Sequence, residues 1–326
     1  MKILAVVKLY AHKNKAGGEL YLHHLLKELN KVHDVAVIVP SDTFYQTTFE
    51  GVYVVEDKDY KIYIDQADLI ITQLDLSSEV NKYSIQKNKK IVNIFHGEFQ
   101  EYFKPVLRTE KIIKIFNSNY VYHSCIQNCL IKGKTFIIYP YTPDYSQYAT
   151  TDLQYRQFIT FVNPSQSKGK DIFYNLVKKF PNKKFLLVEG GYYKHLQDIR
   201  YDLPNVMIQK STNDMINDVY LKSKIVIQPS FVESYGMVAS EARSFGIPAI
   251  INGKSKGLKE NMGKLGLFGD NDDMKSYEKL IKLLDNRPTY ILWSKLMLDQ
   301  AEARLEEQQK QTDEFLNFLE KFNQKA

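Results

Sequence analysis

The stretch QPSFVESYGMVASEARSFGIPAII, residues 228 to 251, constrains the fold of this chain more than any other. Ile225, Val226 and Ile227 form a short apolar run that ends at Pro229, and Met237, Val238, Ala239 and Ala242 then recur at helical spacing. The period changes from strand to helix across Ser230 to Gly236, which predicts a strand, a loop and a helix. A helix starting near Tyr235 leaves the backbone N–H groups of Tyr235, Gly236 and Met237 without intrahelical partners and with partial positive charge, a setting that suits phosphate. Gly236 lets a ligand approach the backbone closely. Glu233 just before the helix and Glu241 about two turns inside it bring two carboxylates within reach of one ligand. Such a pair taken alone reads as ordinary solvated or capping residues; its flanking residues are what give it weight.

A chain of 326 residues exceeds the usual single core, so two domains are expected. With 44% hydrophobic and 25% charged residues it reads as globular, and no apolar run approaches the roughly 20 residues that cross a bilayer. Met1 to Val7 is too short for a signal peptide and reads as a first buried strand, and a cytoplasmic location is expected. The two cysteines, Cys125 and Cys129, stand at helical spacing without a zinc or disulfide pattern. The net charge of +6 is spread over both halves and is compatible with an anionic substrate, a membrane surface or nucleic acid.

Strand, glycine turn and helix recur elsewhere. Lys2 to Leu9 is a strand, and the polar loop from His12 closes on Gly17-Gly18 before an amphipathic helix with Leu22, Leu25, Leu26 and Leu29. A G-x-G-x-x-G fingerprint is absent, which disfavours a nicotinamide cofactor. Val35–Val39, Asp68–Thr72, Lys90–Phe95, Lys111–Phe116 and Thr135–Tyr139 read as further strands, and His96-Gly97 follows the third of these. Residues 144–152 are polar and aromatic without periodicity, as in a hinge. Phe158–Val162 then starts a second round, with a polar loop Asn163–Gly169 and a helix Ile172–Phe180. Phe185–Val188 closes on Glu189-Gly190-Gly191, and Val206–Gln209 precedes Lys210. Alternation of this kind predicts parallel α/β sheets with ligands at the carboxyl ends of their strands. Asp57-Lys58-Asp59 and the acidic residues from Asp270 to Asp273 read as helix caps, and no metal site is expected.

Pro229-Ser230, Glu233, Tyr235-Gly236, Glu241-Ala242 and Gly246-Ile247-Pro248 resemble the signature of family 4 glycosyltransferases of the GT-B fold. The resemblance implies two Rossmann-like domains facing each other across a cleft. The first is an acceptor-side domain over 1–150, rejoined by a C-terminal helix over 304–326 that crosses back to it; the second is a donor-binding domain over 151–303. It further implies that Glu233, His96 and Lys168 work at the transferred sugar and diphosphate. Glu241 would hold the nucleotide ribose, and Ser234, Tyr235, Gly236 and Met237 the distal phosphate. Gly17 and Gly18 would contact donor phosphate or acceptor, with Asn163 and Lys210 at the phosphate and base positions. Relatives often carry glycine-arginine where this chain has Asn163-Pro164, and proline cannot donate a hydrogen bond.

The function so implied is metal-free, retaining transfer of a hexose from a nucleotide-diphosphate sugar, UDP-sugar favoured and GDP-sugar admitted, to a hydroxyl acceptor. The diphosphate charge would be stabilised by Lys168 and the helix end. No cofactor is expected. AGGELYLHHLL and FVNPSQSKG resemble a compact subgroup associated with phage and viral genomes, so the acceptor stays open between a membrane-associated glycan, a lipid and a hydroxymethylated DNA base. The oligomeric state is not legible. A GT-B nucleotide-sugar epimerase and a catalytically silent sugar-nucleotide or nucleic-acid binding module remain as other readings.

Overall fold

The structure, a computed structural model, describes residues 1–190 and 199–324. Gly191 of the expected glycine turn and the last two residues of the expected 304–326 segment lie outside the described residues. The chain divides into two compact units, Met1–Tyr141 with Glu307–Ala326, and Thr142–Glu306. The second unit begins ahead of the aperiodic 144–152 stretch.

The first unit is built on an eight-stranded sheet: β1 (Lys2–Val6), β2 (Asp34–Val39), β3 (Tyr45–Phe49), β4 (Val52–Glu56), β5 (Leu69–Gln73), β6 (Lys90–Phe95), β7 (Ile112–Phe116) and β8 (Thr135–Ile137). Their spatial order is β3-β4-β2-β1-β5-β6-β7-β8. Strands from β4 to β8 pair in parallel, as expected for near-continuous Val/Ile runs buried on both faces. Alternate residues of β1 serve opposite faces: Ile3 and Ala5 join one apolar cluster, Leu4 and Val6 another. The helix Gly17–Leu29 covers the first face with Leu22, Leu25, Leu26 and Leu29.

One element departs from the expected pattern. β3 pairs antiparallel with β4 through a two-residue turn, Glu50-Gly51, both at positive φ (45° and 87°). That conformation matches the twist of a hairpin, and it adds a short polar edge strand to a sheet otherwise built by crossovers.

The second unit holds a six-stranded, all-parallel sheet: β9 (Phe158–Val162), β10 (Lys184–Val188), β11 (Val206–Gln209), β12 (Ser223–Gln228), β13 (Ala249–Asn252) and β14 (Leu267–Gly269), in the order β11-β10-β9-β12-β13-β14. The chain steps from β9 to β10 on one side and returns to β12 on the other. The carboxyl ends of β9 and β12 therefore form a topological switch point, where the strand-end loops diverge and leave room for a ligand. The first sheet has the same switch between β1 and β5.

The last helix, Arg287–Gln324, serves both units. Tyr290 and Met297 are fully buried in clusters of the second unit, while Phe315 and Leu319 are fully buried in the main cluster of the first. Gln308 donates to Pro140 O (2.5 Å) and Gln311 accepts from the Tyr139 N–H (2.8 Å), tying this helix to the end of the first sheet. Among the described residues no helix is long and apolar enough to cross a membrane.

Candidate functional site

The switch point of the second sheet gathers most of the residues singled out in the sequence. β12 ends at Gln228, and the loop Pro229–Gly236 leads into the helix Met237–Ser244. The helix starts two residues later than its periodicity suggested. Gly236, at φ 94°, stands outside it as a left-handed cap, a conformation that costs a side-chain-bearing residue free energy. A Cβ at Gly236 would also lie 2.2 Å from Leu258 Cδ2.

Glu233 Oε1 is the hub of this loop. It accepts from Lys168 Nζ at 2.5 Å, Gln228 Nε2 at 2.8 Å and Ser230 Oγ at 3.0 Å. The amide of Gln228 is thereby oriented, and its Oε1 takes the Ala239 N–H at 3.0 Å. One strand-end glutamine thus caps the helix and fixes the carboxylate that precedes it. The backbone is equally crowded: Gly257 passes so close that a Cβ there would sit 2.1 Å from Glu233 O. Asn261 donates to the carbonyls of Tyr235 (3.1 Å) and Gly236 (2.8 Å). None of these contacts uses the first amides of the helix, at Met237 and Val238, which have no intrahelical acceptor.

Lys168 comes from the other loop of the switch point. Asn163, at the end of β9, adopts φ 65°, and its Oδ1 is buried without a partner. Gly169 follows at φ 86° and packs against Pro229, whose O would lie 2.5 Å from a Cβ there. Phe231 N donates to Ser167 O (3.0 Å), so the loops after β9 and β12 are laced together.

Glu241 lies one turn into the helix, and Tyr220 donates its hydroxyl to it. Burial pushes the Glu241 carboxyl up to about 7, against the lowering effect of that hydrogen bond. Tyr235 is 1% exposed and therefore belongs to the packing under the loop, not to a stacking surface. Lys210 is set apart: it is exposed at the carboxyl end of β11, the edge strand, two strands from β9.

The remaining expected residues gather at the switch point of the first sheet. His96 follows β6, and its Nε2 lies 2.7 Å from Oε1 of Gln73, the last residue of β5. Gln73 Nε2 donates to Gly18 O at 3.1 Å. A backbone carbonyl only accepts, so the Gln73 amide must face His96 with its oxygen. That places the imidazole proton on Nε2 and leaves Nδ1 as an acceptor. Burial lowers the His96 pKa to about 4, so the ring is neutral at pH 7. Gly17 and Gly18 form the first turn of the helix Gly17–Leu29 and do not close the preceding loop; neither needs positive φ. The close approach of Leu74 Cδ1, 3.3 Å from a Cβ on Gly18, accounts for the second glycine. Sequence reasoning missed Gln73, Gln228, Tyr220 and Asn261; the partners of Gln73, Tyr220 and Asn261 lie 18 or more residues away, whereas those of Gln228 lie 5 and 11 residues away.

Asp273 Oδ1 takes the Lys275 N–H (3.1 Å), as a cap does, whereas Asp57 Oδ1 takes the N–H of Asp59 (3.0 Å), the residue before the helix Tyr60–Gln66, in a local turn, and the Asp59 side chain does not cap that helix, against expectation. Among the described residues no three His, Cys, Asp or Glu side chains gather as metal ligands.

Two units with Rossmann-like parallel sheets and a C-terminal helix returning to the first unit define the GT-B class of fold. Sucrose-phosphate synthase of Thermosynechococcus elongatus shares it with a TM-score of 0.79 at 14% identity over the full length of both chains. Anabaena HepE, solved in complex with UDP and glucose, shares it with a TM-score of 0.78 at 17% identity, over 97% of this chain and 99% of that one. Residues 156–297 match the family model "Glycosyl transferases group 1", so the second unit carries a glycosyltransferase domain. Sulfoquinovosyl transferase SQD2 of Arabidopsis thaliana is 25% identical over 142 residues, which cover 41% of this chain and 28% of that protein.

Proposed function

We propose that the chain is a retaining glycosyltransferase that moves a hexose from a nucleotide-diphosphate sugar to a hydroxyl acceptor without a metal ion. The observation that carries this reading is the Lys168, Glu233 and Gln228 network beside the Gly236-capped helix end, at the switch point of the second sheet. In this role Lys168 and the amides at Met237 and Val238 neutralise the leaving diphosphate. Glu233, released from Lys168 when the phosphate takes its ammonium, accepts hydrogen bonds from the sugar. Glu241 takes the ribose hydroxyls, and Asn163 stands where relatives place arginine. His96, neutral with a free Nδ1, accepts from a sugar hydroxyl and has no proton to give as an acid. UDP is favoured as the nucleotide, since structural neighbours were solved with UDP and UDP-glucose.

The reading is tested by following sugar released from UDP- and GDP-hexoses by proton NMR in the presence of EDTA, with water as acceptor. Release of the donor's own anomer at early times is expected. Inverted sugar, release only after a divalent cation is added, or no release from any donor contradicts it, and an epimerised nucleotide sugar supports the epimerase instead.

A further inference from the structure

Tyr220 does more than fill space. It is 1% exposed, in the helical turn Tyr220–Lys222 that leads into β12, and its ring stacks on that of Phe245 with centroids 4.9 Å and planes 22° apart. Phe245, fully buried just after the helix Met237–Ser244, stacks in turn on Tyr145 (4.5 Å, 25°). Its carbonyl takes a hydrogen bond from the buried Arg156 guanidinium at 3.1 Å. The ring of Tyr220 is thereby held in orientation and depth. A phenylalanine would serve that stack as well, so packing accounts for the ring and not for the hydroxyl.

The hydroxyl ends on one oxygen of one carboxyl. It donates to Oε2 of Glu241, whereas Oε1 of this half-buried side chain has no partner among the described residues and is not itself buried. A hydroxyl that merely needs an acceptor is satisfied by a backbone carbonyl, as Tyr21 is by Ile138 O (3.0 Å). Burial, Glu241 and Tyr145 all hold the Tyr220 hydroxyl well above its ordinary pKa, so it stays a donor through the neutral range. A fixed ring with a proton it does not lose thus decides which carboxyl oxygen is left for a ligand. The same hydrogen bond opposes the burial that pushes the Glu241 carboxyl up to about 7, and among the described residues no other group acts on it. Without the hydroxyl, burial is unopposed.

We infer that Tyr220 is a positioning residue for the nucleotide: by holding Oε2 of Glu241 it presents Oε1 to the ribose hydroxyls, and it sets how strongly the site tells a ribose from a sugar that lacks them. The inference rests on the reading of the Lys168 and Gly236 edge as a nucleotide-sugar site, to which it adds a residue that acts only through Glu241.

The test compares the full chain with Tyr220→Phe, which keeps the ring and removes the hydroxyl. Calorimetry at pH 8 measures the Kd of UDP and of its dideoxyribose analogue, so that the ratio isolates the ribose hydroxyls. Carbon NMR follows the titration of the Glu241 carboxyl, assigned by its disappearance in Glu241→Gln. The parent is expected to prefer UDP about tenfold or more. In Tyr220→Phe that preference should shrink about threefold or more and the Glu241 midpoint should move upward. Affinity for the analogue should stay unchanged, which also shows the variant folded. A parent that binds both nucleotides equally, a variant that keeps the parent's preference, or a Glu241 that titrates alike in both chains overturns the assignment. A parent that binds neither nucleotide removes the donor reading itself.

Discussion

At the scale of single residues, the site works through side chains that each settle two contacts. Gln228 fixes Glu233 with its nitrogen and caps the helix with its oxygen; Gln73 does the same for Gly18 and His96. The role of Gln73 was invisible in the sequence because its partners lie 55 and 23 residues away, while periodicity reports only local neighbours. The strand-to-helix junction that carries the two glutamates was legible, with glycine at a fixed offset from them. What the spacing could not reveal is the half-buried setting of Glu241, which has a thermodynamic consequence. Its folded pKa of about 7 lies above the ordinary value of 4.5, so the folded chain holds the proton more tightly than the unfolded one. Stability should therefore fall as pH rises from about 4.5 through about 7, by up to about 3 kcal/mol from this group. Glu241→Gln keeps an acceptor for Tyr220 and removes the titration. Denaturant unfolding across that range should show the variant more stable than the parent at pH 8 and nearly equal at pH 4.5. An unchanged difference across the range would show that Glu241 does not titrate on folding.

At the scale of elements, the crossover strands were readable because Val- and Ile-rich runs buried on both faces alternate with amphipathic helices. Lys90–Phe95, Phe158–Val162 and Val206–Gln209 have the bounds expected of them. The β3 strand was not: YQTTF is mostly exposed, with neither an apolar run nor an Asn-Gly turn to mark it. The terminal helix shows the limit of another kind of local signal. Its charged, glutamine-rich second half looks solvated, yet Phe315 and Leu319 are fully buried against the first sheet. Phe315→Ala should accordingly cost about 3–5 kcal/mol in the first unit. Thermal unfolding monitored by tryptophan, whose single copy Trp293 packs in the second unit, and by far-ultraviolet dichroism should separate the two transitions in this variant. A loss below about 1 kcal/mol would mean that the helix end contributes little to that core.

At the scale of the whole molecule, the two sheets repeat one solution: a parallel arrangement with a switch point, a helix N-terminus at its carboxyl edge, and a strand-end amide that organises the loops. The second unit loads this edge with a lysine and a left-handed glycine cap, the first with a neutral imidazole. The central claim, that the β9 and β12 edge is a nucleotide site, is tested most directly by calorimetric titration of the chain with UDP, repeated with Lys168→Ala. One UDP bound per chain, with affinity reduced about tenfold or more by the substitution, is the result this account predicts. A folded chain that binds none of UDP, GDP, ADP and TDP, or that binds UDP equally well without Lys168, would contradict it.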